Sequence, residues 1–592
     1  MLDGRIYRAG FLFVLIAVVI AALSLGNRPH ALYTTLAPDA FDGPWTIQTL
    51  DSLARSFPDR PAGGSADDRL AESIAKTIEG LGTPASGGFQ VRIRHFEGQT
   101  AAGERGLSTV IAERPGSTGA SPIVVLAHRD GTRRGSRAEL SGTAVLLELA
   151  RALSSRATTR TIILLSTSAG FGGDAGAAEF AANAPTPVDG VIVLGDLASG
   201  DARAPSVVSY SDGLGSAPVA LAATVSRAIA QEVGSEPKTP SLAVQFAHLA
   251  FPLAVGEQGP LGAHGLAAVL VQIGGERGAS PSAPFSQAHL QDFGRAVLSS
   301  IDALDQSPDI SSAPKPALLL ARGEIPAWAI RLLVGALLLP VLLLAADTLA
   351  RVRRRREPLG RWIGWVLACA LPFFTCALLA VALGRVGVIG ERPPVPVLAR
   401  AVGLDASVLA TLALLAMSFV LVWLCWPSLL RRLGSSGRPD SLAAGLAVQI
   451  VLAAVSVAVW VANPFAAALL LPALHLWIVF VSPELRPRRA FGLALVALGL
   501  AAPALLALYY AHELGSGLLS GSWIVVLMLT GGHLGIAAAA AASITAGSAV
   551  AVVLVALQGK SHTSGSSEVT IRGPVSYAGP GSLGGTESAL RR

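Results

Sequence analysis

Two regimes of hydrophobic patterning divide the chain. Residues 27–324 alternate short apolar runs with amphipathic stretches, whereas residues 325–558 are apolar blocks separated by brief polar breaks. In the first regime "IVVLAH" (123–128), "TIILLST" (161–167), "GVIVLGD" (190–196) and "AAVLVQI" (267–273) are almost unbroken apolar runs, the pattern of strands covered on both faces. "FQVRIRHF" (89–96) and "LSTVIAE" (107–113) are expected to form an antiparallel pair beside them. Helical spacing falls at 69–81, 140–153, 173–183, 217–233 and 285–305. This order predicts an α/β sandwich with a mainly parallel sheet, whose functional residues gather at the carboxyl ends of the strands.

The second regime predicts an all-α polytopic transmembrane domain. Apolar runs near 327–350, 361–384, 405–427, 441–462, 464–482 and 490–510 are each long enough to cross about 30 Å of hydrocarbon as a helix. The block 521–558 is about twice that length and carries Gly531, Gly532 and Gly535, so it is expected to be two helices joined by a turn. With the first run, 9–25, the total expected is about nine spans. Arg5 and Arg8 precede that first run and no small-residue cleavage site follows it, so residues 1–26 are expected to be an uncleaved signal anchor. Arginine clusters at 351–361, 431–438 and 486–489 fall in alternate loops, which places them in the cytoplasm and residues 27–324 outside. The loops 385–404 and 511–520 and the Gly/Ser/Thr-rich tail 559–592 are then external, and the tail is expected to be disordered.

Composition agrees with this division. The chain of 592 residues is 52% hydrophobic and 14% charged, too apolar for a soluble protein. Its net charge of +6 comes from loop arginines rather than a basic stripe interleaved with aromatics, so no nucleic-acid partner is expected. Arginine greatly outnumbers lysine, which points to a GC-rich bacterial genome and a bacterial plasma membrane. Cys369, Cys376 and Cys425 all lie inside apolar blocks, so the soluble domain cannot form a disulfide. "GFGGDAG" (170–176) lacks the Lys-Ser/Thr of a phosphate loop, and "STSAG" (166–170) lacks the first glycine of a nucleophile elbow.

The stretches "RPAGGSADDRLAESIAKTIEGLG", "IVVLAHRDG", "LSGTAVLLELARAL", "TIILLSTSAGFGGDAGAAEFA" and "VIVLGD", in that order, resemble the co-catalytic di-zinc aminopeptidase family, which includes aminopeptidase Y and the glutamate carboxypeptidases. The resemblance covers about residues 45–305. With the flanking spans, the arrangement is similar to the vacuolar membrane protease. It is also similar to the peptidase-like membrane subunit of the glycosylphosphatidylinositol transamidase. The family implies five metal ligands, one a bridging aspartate, and a glutamate as general base. Carried over, His128 matches the first histidine, Asp130 the acid that orients it, and Asp196 a later carboxylate ligand. The bridge position is Ala138, with Glu139 as a possible substitute one residue along. The paired-glutamate positions are Gly170, where the base would stand, and Phe171. "GGERGASPSAPF" (274–285) holds no final histidine, and His289 could replace it only from within a helix. Arg129, Arg133, Arg134 and Arg137 add charge that opposes further cations.

These residues lead to the expectation of a vestigial metal site (His128 and Asp196) and lost catalysis. The expected role is binding or scaffolding at the outer membrane face. Membrane lipid is an expected partner, with a protein, peptide or lipid-linked ligand in the cleft. No cofactor is expected; zinc would enter only with a rearranged site, in an active membrane-bound metallopeptidase. A transporter with a regulatory ectodomain is the third reading, resting on His475 and His533 within the spans.

Overall fold

The computed structural model describes residues 4–558 apart from 84–86, 186, 201–203, 279–282, 308–312, 321–322, 394, 433–440 and 483–485. The tail 559–592 and most of the arginine loop 431–438 lie outside the described residues.

The ten strands are β1 (Gly26–Asn27), β2 (Gln90–Thr100), β3 (Gly103–Arg114), β4 (Ile123–His128), β5 (Ile162–Thr167), β6 (Gly190–Leu194), β7 (Pro205–Val208), β8 (Ala268–Ile273), β9 (Ala317–Leu319) and β10 (Gly323–Pro326). Seven form one sheet in the order β2-β3-β5-β4-β6-β8-β7. The expected central strands β5, β4, β6 and β8 are parallel. The sheet as a whole is mixed rather than mainly parallel. The β2/β3 hairpin joins β5 antiparallel at one edge, and β7 joins β8 antiparallel at the other. The short "PSVV" of β7 carries too little periodicity to announce a strand.

Strand alternation builds two cores. Ile123, Val125 and Ala127 of β4 face one layer with Leu70, Ile74, Leu146 and Val297, while Val124 and Leu126 face the other with Phe180 and Leu261. The first layer holds helices Gly43–Ser56, Ser65–Glu79, Ser141–Ser154, Val219–Glu232 and Gln287–Asp305; the second holds Ala175–Asn183 and Gln258–Ala263. By the same alternation His128 points into the second layer and Arg129 into the first. β1 pairs β10, and β10 pairs β9, so the two points where the sandwich meets membrane helices are stitched together.

Among the described residues six helices are long and apolar enough to cross a membrane: Gly4–Leu23, Ala327–Arg354, Leu359–Arg385, Ala406–Trp426, Leu442–Ala462 and Ile536–Leu557. This fits a membrane protein but not nine straight spans. Arg489–Gly499 and Ala501–Glu513 form a pair bent by 51° that makes at most one more, and Pro464–Phe480 and Leu518–Thr530 are shorter apolar helices. The block 521–558 does contain two helices, but they are unequal. Leu518–Thr530 has a sandwich contact just beyond each end, Gly515 against Arg277 and His533 Nε2 at 3.1 Å from Pro252 O, while Leu514 O accepts from Ala399 N and Gly531 abuts Pro393 in the loop before Ala406–Arg432. That helix therefore runs along the junction, and only Ile536–Leu557 leads away from it. Gly492, near the start of the bent pair, packs against Ala556 at the far end.

Candidate functional site

His128 ends β4, Thr167 ends β5, and Gly195 and Asp196 follow β6, so parallel register delivers all of them to one edge of the sheet. A cleft opens there, with about 530 Å³ of empty space including its open mouth. His128, Asp174, Glu257, Glu276, Arg277 and Arg400 are among its lining residues. Arg400 comes from the loop between Leu359–Arg385 and Ala406–Arg432, so the membrane domain completes the wall.

The His-x-Asp pair is divided in its roles. Asp130 does not hold the imidazole; its two oxygens accept the N–H groups of Gly170 (2.8 Å) and Phe171 (3.2 Å), which fixes the loop after β5. The imidazole is held instead by Glu257, whose Oε2 lies 3.4 Å from His128 Nδ1 and whose Oε1 accepts from Thr167 Oγ1. Burial alone would lower the His128 pKa; the Glu257 hydrogen bond and charge, with Asp130 and Glu139, outweigh it and raise it. His128 Nε2 is buried without a hydrogen-bond partner. Glu257 sits in the loop before Gln258–Ala263, far from the apolar runs, and no local pattern in the sequence singles it out.

Asp196 Oδ1 accepts the N–H groups of Ala198 and Ser199, both at 3.0 Å, and so shapes its own loop. His289 does not turn into the cleft as a replacement ligand; its Nδ1 contacts Ser199 O at 2.6 Å. Glu139 is buried in the 131–137 loop, where it accepts from Thr132 Oγ1 at 2.8 Å and Arg133 N at 3.3 Å and lies 3.7 Å from Arg60. Ala138 opens the short helical turn Ala138–Leu140. At Gly170 an added β-carbon would lie 2.4 Å from His128 Cβ and 2.5 Å from its Cγ, so any side chain there displaces the histidine. Phe171 packs edge-on against the His128 ring, with centroids 4.7 Å apart.

Two of the four arginines, Arg129 and Arg137, are paired with carboxylates. Arg129 is fully buried on the other side of the sheet, 2.8 Å from Asp67, and donates to Ser166 O and Ser108. Its charge is neutralised there and does not reach the cleft. Arg137 pairs with Asp51 at 3.1 Å. The cations that do line the cleft are Arg277 and Arg400, neither marked by a motif.

The donor set does not fit two zinc ions. Among the described residues no three His, Cys, Asp or Glu side chains converge to hold a metal. Among the described residues His128 is the single imidazole lining the cleft.

The histidines of the apolar half join elements together. His475 contacts Tyr7 OH at 2.6 Å through Nδ1 and Leu337 O at 3.1 Å through Nε2, linking the first helix to the bundle. On the sandwich side, His248 contacts Leu253 O at 2.8 Å and Tyr509 OH at 3.0 Å.

No protein-family profile matches the chain, and no curated protein matches it. Among solved structures it is similar to BSAP, a zinc aminopeptidase from Bacillus subtilis, at 14% identity with a TM-score of 0.36, covering 46% of this chain and 99% of that one. It is similar to LapB from Legionella pneumophila at 15% identity and a TM-score of 0.39, covering 48% of this chain and 79% of that one. It is also similar to a leucine aminopeptidase precursor from Bacteroides thetaiotaomicron at 14% identity and a TM-score of 0.37, covering 47% and 99%.

Proposed function

We propose that the protein is a membrane-anchored binding protein whose extracytoplasmic α/β sandwich uses a peptidase-like cleft to hold a ligand, without two-metal hydrolysis. The observation that supports this most directly is the approach of Gly170 to His128. The residue that would have to present a general base has no side chain, and its α-carbon lies so close to the histidine that a β-carbon would meet it at 2.4 Å. A general base contributes about 10²–10⁴-fold to a hydrolytic rate, and losing the metal bridge removes the two-metal clamp as well. The remaining polar groups serve architecture: Asp130 and Asp196 hold loops, and Glu257 orients His128.

The full-length protein in nanodiscs should release no amino acid from a panel of short peptides, with or without added zinc. Release that a chelator abolishes, and that His128→Ala or Asp196→Ala also abolishes, would establish the competing reading of a rearranged metallopeptidase.

A further inference from the structure

The floor of the cleft carries three carboxyl groups in an unusual state. Asp174, Glu257 and Glu276 are 2%, 2% and 9% exposed, and each has at least one oxygen without a hydrogen-bond partner. For Glu276 both oxygens lack one. Its nearest base, His248 Nε2 at 3.6 Å, faces the Tyr509 hydroxyl, while His248 Nδ1 contacts Leu253 O. Among the described residues the Glu257 carboxyl contacts His128 and Thr167. Buried acids without partners are costly, and they invite a cation. A metal does not answer, because among the described residues no three donors converge. An ammonium group asks for less: a single carboxylate acceptor suffices to hold its compact charge.

The mouth has the opposite sign. Arg277 and Arg400 are exposed and line the same cleft, and neither makes a hydrogen bond or ion pair among the described residues. Arg400 stacks over Phe171 with its Cζ 5.3 Å from the ring centroid, and Arg277 lies near Glu513 and Gly515 at the end of a membrane helix. Paired guanidinium groups suit a phosphate. The mouth also lies level with the membrane domain, since Arg400 belongs to the loop that immediately precedes Ala406–Arg432.

We propose that the cleft takes the headgroup of an aminophospholipid of the phosphatidylethanolamine type. Its phosphate lies between Arg277 and Arg400, and its primary ammonium reaches down to the Glu276 carboxyl, whose two oxygens both lack a hydrogen-bond partner. This names the ligand of the binding role proposed above and rests on that reading. A quaternary choline head offers no N–H donor to the floor, and a glycerol head offers no positive charge, so both should be discriminated against.

The test uses the full-length protein incorporated in vesicles of equal phosphatidylethanolamine, phosphatidylcholine and phosphatidylglycerol, with retained lipid counted by native mass spectrometry. Phosphatidylethanolamine should be retained over phosphatidylcholine by about tenfold, the scale of one lost charged hydrogen bond. Glu276→Gln should remove that preference while phosphatidylglycerol retention holds, and Arg400→Gln should weaken both. Free phosphoethanolamine should displace the lipid; free phosphate alone should do so much less. Equal retention of ethanolamine and choline lipids, or a preference untouched in Glu276→Gln, would overturn the proposal. So would displacement by a short peptide with a free N-terminus but not by phosphoethanolamine. Peptide hydrolysis is scored separately, so failure of the non-hydrolytic reading and failure of the lipid assignment are distinguishable.

Discussion

Asp130 holds the loop after β5 through two backbone N–H groups, so Asp130→Ala should cost about 1–3 kcal/mol in stability. Gly170→Ala should cost a comparable 1–3 kcal/mol or so by overpacking, because its β-carbon meets His128. Gly172→Ala, whose β-carbon finds Thr100 at an ordinary 3.6 Å, is the neutral control. Thermal unfolding of the three variants checks both claims. The raised pKa of His128 also has a signed consequence. Its protonated form is favoured by folding, so this contribution is complete below pH of about 6.5 and is lost as pH rises through the raised folded value. Glu257→Gln should diminish that loss in unfolding curves measured from pH 6 to 9 or so. At this scale the sequence was half legible. His128 and Asp130 stood out because an apolar run ends on them. Arg129 was misplaced although strand alternation alone turns it to the opposite face, where Asp67 waits. Glu257, Arg277 and Arg400 arrive from loops whose position depends on the whole fold, and no local pattern marks them.

Among elements, helix Leu242–Ala250 carries the docking of the sandwich onto the membrane helices. Asn463 Nδ2 donates to Leu249 O and Ala250 O, Tyr510 OH donates to Phe251 O, and Leu253 packs among Leu514, Ile524 and Met528. His248 sits at the centre of this contact, stacked on Tyr210 with centroids 3.9 Å apart. Burial pushes its pKa down to about 4. A lowered histidine is stabilising while neutral, so its contribution is present above pH of about 6.5 and is lost as pH falls towards the folded value. The loss is on the order of 2–3 kcal/mol. His248→Gln should flatten the stability profile between those limits; an acid limb of unchanged slope would show that another group titrates there. The helix itself escaped the sequence pattern because Pro252 and three nearby glycines (Gly256, Gly259 and Gly262) interrupt the apolar periodicity around it. The central strands were legible for the opposite reason, since burial on both faces makes them continuously apolar.

For the whole molecule, the junction helix Leu518–Thr530 favours a different topology from the one expected. Because residues just beyond both its ends touch the sandwich, the block 521–558 is expected to cross the membrane once, through Ile536–Leu557. A reporter joined behind Gln558 should therefore lie on the same side as one at residue 356, and opposite reporters at 300 and 395. Finding the first with the reporters at 300 and 395 would restore the second crossing. The division into sandwich and bundle was legible from hydropathy. The number of crossings was not, because hydropathy registers apolar length and is blind to a helix lying along an interface.

The proposal that this cleft works without two-metal hydrolysis is tested most directly by metal content. Full-length protein, purified in detergent without chelator and dialysed against micromolar zinc, should carry less than one tightly bound zinc per chain by inductively coupled plasma mass spectrometry. His128→Ala should leave that value unchanged. Two zinc ions per chain, lost together in His128→Ala and in Asp196→Ala, would contradict the account.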